Sequence, residues 1–181
     1  MANSLHFRKA TRQDVPLIVE MLANDKLGQL REDYQNPLPG RYYEAFENID
    51  QDSNQELMVV ENPHREVIGT LQLSFIPYLT YQGGIRAQIE AVRIRSDQRG
   101  EGIGTELFEW AIARTQERGA HVLQLTTDKK RPEALHFYEK LGFEKIFISK
   151  YNKLDDGALR KFNIEIHTIG KVSELRDMLI L

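Results

Sequence analysis

Residues 92–112 read VRIRSDQRGEGIGTELFEWAI, and this stretch decides the fold. At its centre, Gln98–Thr105 is a glycine-rich turn. Apolar residues then recur at the spacing of a helix that buries one face: Ile103, Leu107, Phe108, Ala111 and Ile112. The pattern predicts a helix that opens on glycine and ends at Gly119. The backbone N–H groups at such a helix start, with the positive end of the helix dipole, can bind a phosphate.

The strand that precedes the turn changes its hydrophobic phase at one point. From Ile85 to Ala91 the apolar residues take odd positions, whereas Val92 and Ile94 take even ones. Because the side chains of a strand alternate with a period of two, this slip requires a local irregularity. It predicts a β-bulge between Ala91 and Val92. The alternative is a strand that simply ends at Ala91.

Two nucleotide-binding motifs do not fit the chain. A dinucleotide fingerprint that starts at Gly100 would need glycine where Thr105 stands. A Walker A loop needs Gly-Lys followed by Ser or Thr, but Gly170–Lys171 is followed by Val172. The glycine turn is therefore neither of these phosphate loops.

Outward from the turn, the pattern predicts the order β-α-α-β-β-β-α-β-α-β, an α/β domain around a mixed sheet. Asp14 is the predicted N-cap of the first helix, and Pro132 begins the last one. The domain is expected to span residues 1–151. Residues 152–181 then form a C-terminal extension, in which Phe162–Ile166 alternates like a strand. A short amphipathic helix, expected to pack in cis or across a homodimer, is predicted from Val172, Leu175, Met178 and Leu179.

The composition narrows the classes of function. The chain has 24 Lys and Arg against 27 Asp and Glu, so no overall charge draws it to nucleic acid or to an anionic membrane. It has no cysteine, which excludes disulfides, thiolate metal ligands and cysteine nucleophiles. No metal is expected either, because the five histidines lack metal-ligand spacing. Without a signal peptide or an apolar span, a cytoplasmic protein is expected.

A second segment, EALHFYEKLGF at Glu133–Phe143, strengthens the signal of the glycine turn. Together with the [QR]-x-x-G-x-[GA] pattern at Arg99–Gly104, it resembles the GNAT superfamily of acetyl-CoA-dependent N-acetyltransferases over Leu5–Tyr151. The resemblance implies a mixed central sheet with a splayed, bulged fourth strand, flanked by helices. It also implies acetyl-CoA as co-substrate, and an amine on a small molecule or a peptide as acceptor.

The resemblance assigns the cofactor-binding residues as well. Backbone groups of Val92, Arg93 and Ile94 would meet the acetyl and pantetheine groups. The pyrophosphate would be held by Gln98, Arg99, Gly100, Glu101, Gly102, Ile103, Gly104 and Thr105. The family commonly has Asn three residues before Ala134, where this chain has Arg131. Arg131, with Lys129 and Lys130, either pairs with the 3′-phosphate or belongs to a solvated loop.

Two catalytic residues are expected. By resemblance, Tyr138 would protonate the departing thiolate of coenzyme A or would donate a hydrogen bond to the sulfur without transferring a proton. The alternative is a tyrosine of the core. Glu90 lies on the polar face of the bulged strand, which the family's fold turns toward the cleft where amine and thioester meet. It is the candidate general base, and a salt bridge to Arg86 or Arg93 is its alternative. Acceptor contacts are expected from Leu30, Tyr34, Gln72, Phe75 and Tyr78.

Direct acetyl transfer in a ternary complex is the expected reaction, since no cysteine can carry an acyl group. Two other functions stay open. One is a non-catalytic module that binds or senses acyl-CoA on the same fold. The other is an acyltransferase with a different acyl donor or a hydroxyl acceptor.

Overall fold

The computed structural model describes residues 5–24, 28–128, 132–155 and 158–169, which contain seven strands, five α-helices and three short 3-10 turns. The strands are β1 (His6–Lys9), β2 (Gln55–Glu61), β3 (Val67–Pro77), β4 (Ile85–Ile94), β5 (Val122–Asp128), β6 (Glu144–Asp155) and β7 (Ala158–Ile169). The helices are α1 (Val15–Ala23), α2 (Gly40–Gln51), α3 (Thr80–Gly83), α4 (Ile103–Glu117) and α5 (Pro132–Lys140). The predicted order is confirmed, with the single turn α3 and the strand β7 added to it.

The chain packs as two compact units, and the first holds the N-terminal strands and helices. It comprises residues up to Ser74 together with Glu90–Trp110. In this unit β1, β2 and β3 form an antiparallel meander, and α1 and α2 pack beside it. The apolar faces of these helices close a core formed by Ala10, Val15, Ile18, Val19, Met21, Phe46, Val59 and Val67.

The second unit comprises Phe75–Ile89 and the residues from Ala111 onward. Within it β4 runs parallel to β5, in register from Arg86–Val122 to Ile89–Leu125. Strand β7 lies between β5 and β6 and is antiparallel to both. Parallel and antiparallel pairs therefore occur together, and the predicted α/β class with a mixed sheet is confirmed.

The domain boundary predicted after Tyr151 falls inside β6. An extended segment needs a neighbouring strand for its backbone N–H and C=O groups, and β7 finds that neighbour in β5. Residues 158–169, which include the predicted strand Phe162–Ile166, are thus part of the second unit. The amphipathic helix predicted around Val172–Leu179 lies outside the described residues, and the dimer it suggests stays a prediction.

Strand β4 contains the predicted irregularity. Ala91 has a φ of 54°, in the left-handed region that a regular strand residue does not enter. The strand nevertheless continues to Ile94, so the alternative of a strand ending at Ala91 is wrong. Beyond the irregularity, the Arg95 N–H donates to the Ile68 carbonyl of β3 at 2.8 Å. The chain thus resumes pairing after the bulge.

Asp14 precedes α1 as predicted, but its carboxylate does not cap that helix. It accepts hydrogen bonds from the Thr11 N–H and from both Nη atoms of Arg8. Burial alone would raise the pKa of Asp14, but the hydrogen bonds from Arg8 and Thr11 outweigh it and lower the pKa to about 2. Asp14 therefore links β1 to the start of α1.

Within the described ranges, no helix combines the length and the apolar run that a membrane crossing needs.

Two alanines of β4 give a matched test of the bulge. Ala91→Gly should leave the free energy of unfolding unchanged or raise it by up to about 1 kcal/mol, because left-handed alanine costs about 1–2 kcal/mol and glycine avoids it. The larger chain entropy of unfolded glycine offsets part of this gain. Ala87→Gly should lower the free energy of unfolding by about 1.5 kcal/mol, since Ala87 is fully buried. Urea unfolding measures both, and equal losses would contradict a left-handed Ala91.

Candidate active site

The glycine turn before α4 adopts a conformation that needs glycine at two positions. Gly100 and Gly102 have φ of 88° and 82°. A Cβ built on either one meets no atom within 4 Å, so the positive φ, and not crowding, requires glycine here. Residues 99–102 are exposed. The turn therefore offers open space next to its backbone, where phosphate oxygens can approach the N–H groups.

The start of α4 presents N–H groups to this space. The Gly102 carbonyl accepts the N–H groups of Thr105 and Glu106 at 2.9 and 3.2 Å, which makes Gly102 the residue that opens the helix. The first N–H groups of a helix have no carbonyl partner within it. Ile103, Leu107 and Phe108 are buried and hold this end of α4 in place. These features fit the diphosphate of coenzyme A, although the Thr105 N–H is already used inside the turn.

The arginines around the turn differ in how their charge is used. Arg95 forms two hydrogen bonds with Asp97, at 2.7 and 2.9 Å, and these lower the pKa of the Asp97 carboxyl below its ordinary value. Arg99 is exposed, and its Nε donates to the Ile94 carbonyl at 3.2 Å. The charge of Arg95 is therefore offset, while Arg99 carries its charge at the edge of the turn.

The strand end assigned to the pantetheine arm is also held by arginines. The Val92 carbonyl accepts a hydrogen bond from Arg93 Nη1 at 2.7 Å, and the Ile94 carbonyl accepts one from Arg99. A carbonyl oxygen has two lone pairs, so each can still accept from a ligand. The first unit thus brings Val92–Ile94 and the glycine turn into one segment linked by side chains.

The two predicted catalytic residues lie in different settings. Glu90 is exposed on β4, directly before Ala91. Tyr138 is half-buried on α5, with its ring 5.6 Å from Phe137 and 5.9 Å from Phe143 between centroids. Its carbonyl accepts the N–H groups of Leu141 and Phe143, so the helix end at Gly142 fixes its position. The catalytic roles of both residues stay predictions.

The predicted acceptor residues are partly structural. Leu30 and Tyr34 are exposed, whereas Phe75 is buried beneath the guanidinium of Arg118. Gln72 donates from Nε2 to Gln55 at 2.9 Å. The predicted phosphate contact Arg131, with Lys129 and Lys130, lies outside the described residues.

A polar and aromatic cluster around His121 was not predicted from the sequence. The Tyr78 hydroxyl lies 2.6 Å from His121 Nε2, and the Tyr81 ring lies 4.9 Å from the His121 ring. Tyr81 and Gln82 are left-handed, with φ of 53° and 60°. Tyr78 and His121 are 43 residues apart, so only the placement of β5 beside β4 could reveal the pair. In the described part of the chain, no group of His, Asp and Glu side chains could hold a metal ion.

Comparison with known proteins agrees with this geometry. The acetyltransferase (GNAT) family model matches residues 24–143, and the chain belongs to that family. The L-methionine sulfoximine/L-methionine sulfone acetyltransferase of Pseudomonas aeruginosa is 29% identical over 49% of this chain and 50% of its own. The aminoalkylphosphonate N-acetyltransferase of Salmonella typhimurium is 30% identical over 44% of this chain and 51% of its own. The chain spans about half the length of these two relatives.

Solved structures support the fold over a longer range. A transcriptional regulator from Bacillus halodurans is 51% identical and superimposes with a TM-score of 0.74, over 84% of this chain and 98% of its own. A variant of the spermidine N-acetyltransferase from Vibrio cholerae superimposes with a TM-score of 0.73 over 97% and 98% of the two chains. At 20% identity the second likeness concerns the fold alone.

Alanine substitutions at two glycines distinguish a glycine that the backbone conformation requires from one that it does not. Gly102→Ala should lower the free energy of unfolding by about 1–2 kcal/mol, because alanine is strained at a φ of 82°. Gly40→Ala, at the start of α2 with equally open surroundings, should raise it by up to about 1 kcal/mol. Thermal or urea unfolding of the two variants measures both. A stabilising Gly102→Ala would contradict the left-handed turn.

Proposed function

We propose that this chain is an N-acetyltransferase that moves an acetyl group from acetyl-CoA to a primary amine by direct attack in a ternary complex. The observation that carries the proposal is the exposed turn with left-handed Gly100 and Gly102, opening directly into α4 in a chain of the GNAT family. When bound, acetyl-CoA supplies the activated thioester. Since the sequence has no cysteine, an acyl group cannot pass through a cysteinyl enzyme.

Binding of the diphosphate and of the pantetheine arm is assigned to the first unit. The backbone of Gln98–Thr105 and the dipole of α4 hold the diphosphate, and Arg99 adds a positive charge beside it. Backbone groups of Val92–Ile94 hold the pantetheine arm. Arg131 is proposed for the 3′-phosphate.

Proton transfer is assigned to two side chains. An amine is mostly protonated near pH 7, and the Glu90 carboxylate, directly or through a water molecule, removes that proton before attack. A backbone N–H near the bulge donates to the acetyl oxygen as negative charge develops there. Tyr138 Oη gives its proton to the departing sulfur.

The acceptor is proposed to be a small-molecule amine. The relatives with named substrates act on methionine sulfoximine, methionine sulfone and aminoalkylphosphonates, and a structural neighbour acts on spermidine. A peptide amine is the alternative, since the N-alpha-acetyltransferase 30 of Schizosaccharomyces pombe is 36% identical over 59 residues. Action in the cytoplasm and as a homodimer also stays a prediction.

A second candidate function is a non-catalytic module that binds or senses acyl-CoA. It is favoured by the 51% identical neighbour from Bacillus halodurans, which is described as a transcriptional regulator. A third hypothesis is an acyltransferase with another acyl donor or a hydroxyl acceptor. Turnover with acetyl-, propionyl- and succinyl-CoA separates the donors.

Thermal unfolding with and without acetyl-CoA tests the binding half of the proposal. At a hundredfold excess over Kd, the ligand should raise Tm by about 5 °C or more. Release of free thiol with a panel of small amines, amino acids and peptides tests the transfer half. Binding without thiol release from any amine would favour the sensing module, and the absence of a thermal shift would reject both.

Removing the phenol of Tyr138 tests its role in proton transfer. Tyr138→Phe should lower kcat about 10²-fold and change the Kd of acetyl-CoA less than twofold, because the proton matters only as sulfur departs. Tyr43→Phe, which removes a hydroxyl group from a tyrosine of α2, should change neither kcat nor the Kd of acetyl-CoA. For Tyr138→Phe, an unchanged kcat would show that Tyr138 is a structural residue of the core and not a proton donor.

Replacing the Glu90 carboxylate tests its role as general base. Glu90→Gln should lower kcat/KM about 10²-fold, with the largest loss at low pH, where the amine is protonated.

A further inference from the structure

The bulge of β4 places a strained residue next to a half-buried cation. Ala91 is left-handed without being glycine, a conformation that persists only where its surroundings hold it. Two residues later, Arg93 turns its half-buried guanidinium back onto its own strand. Nη1 donates to the Val92 carbonyl at 2.7 Å. The residue that follows Ala91 is thereby fixed by a charge-assisted hydrogen bond, which is shorter and stronger than a neutral one.

This hydrogen bond also sets the direction of an N–H group. The Val92 carbonyl and the Arg93 N–H belong to one planar, trans peptide, so they point in opposite directions. When the guanidinium holds the carbonyl on one side, the N–H is directed to the other side. The positive charge of the guanidinium beside the carbonyl oxygen also polarises the peptide and makes its N–H a stronger hydrogen-bond donor.

The other side of this segment is held by β3. The Arg95 N–H donates to the Ile68 carbonyl at 2.8 Å. Gly69 lets β4 approach closely, because a Cβ there would lie 2.9 Å from Ile94 Cδ1 and 3.1 Å from the Arg93 carbonyl oxygen. The backbone after Arg93 is thus fixed by the sheet. The peptide between Val92 and Arg93 lies between this fixed part and the strained Ala91.

We propose that Arg93 is a positioning residue, whose side chain holds the bulge at Ala91 and aims the Val92–Arg93 peptide at the acetyl group and pantetheine arm. The proposal rests on the proposed function for its ligand. The holding of the bulge by Arg93 does not depend on any ligand. This role differs from the backbone contact that the family resemblance assigns to Arg93, because it belongs to the guanidinium.

A double-mutant cycle between Arg93→Met and Ala91→Gly tests the proposal, since glycine keeps the left-handed conformation without help. In the wild-type background, Arg93→Met should lower Tm by about 4 °C and weaken acetyl-CoA binding about tenfold. In the Ala91→Gly background both losses should shrink by at least half. Arg93→Lys, which keeps a charged donor, should retain most of the wild-type affinity.

Trp110 provides the binding readout. It is the sole tryptophan of the sequence, stacks on Phe7 at 5.2 Å, and lies two turns of α4 beyond Ile103. Titration of its fluorescence with acetyl-CoA, well below Tm, gives the Kd of each variant. The control is Arg95→Met, which removes a cation paired with Asp97 and should show the same small loss in both backgrounds.

Each outcome decides the proposal. Losses of equal size in the wild-type and Ala91→Gly backgrounds would show that Arg93 contributes packing or charge alone, and would overturn it. If Arg93→Met fails to fold, a folded double variant is the expected rescue, and failure of both overturns the proposal. If even the wild-type chain does not bind acetyl-CoA, the proposed function fails. The Tm values of the cycle then still decide whether Arg93 holds the bulge.

Discussion

The left-handed conformation of Ala91 is the constraint on which the arrangement of β4 depends. Up to Ile89 the strand pairs in parallel with β5, and after the bulge it continues beside β3 to Ile94. One extra residue changes which face each later side chain takes. Beyond the bulge, Arg93 donates to the carbonyl of Val92, and Arg99 donates to that of Ile94. Backbone strain and side-chain hydrogen bonds act here on the same few residues.

The start of α4, which is proposed to bind phosphate, depends on different constraints. Helix geometry leaves the first N–H groups, those of Ile103 and Gly104, without a carbonyl partner inside α4. The left-handed glycines keep the space beside them open. Buried Leu107 and Phe108 on the same helix hold that end in position. Asp97 offsets the nearby Arg95, so an anion meets mainly the helix end and Arg99. The positive charge available to an anion is thus more localised than the three arginines Arg93, Arg95 and Arg99 in the sequence suggest.

Much of the fold and part of the candidate site could be predicted from the sequence. The phase slip located the irregularity at Ala91, because strand periodicity is strict and a one-residue shift has few physical solutions. The extent of the extension beyond Tyr151 could not be predicted, because pairing of β7 with β5 joins residues far apart in the chain. The hydrogen bonds from Arg8 and Thr11 to the Asp14 carboxylate could not be predicted either. An aspartate directly before a helix more commonly caps that helix, so the sequence pattern favoured the cap.

The sequence by itself determined the family, the glycine turn, the bulge and the helices on either side, because each depends on near neighbours and on backbone conformation. Tertiary structure decided which polar side chains meet. Tyr78 and His121 meet at the start of β4, because the Tyr78 N–H donates to the Gly84 carbonyl and the His121 N–H to the Ile85 carbonyl. Gln72 reaches Gln55 because β2 and β3 are paired. A hydrogen bond depends on distances of a few tenths of an ångström, and strand register sets those distances between residues remote in sequence.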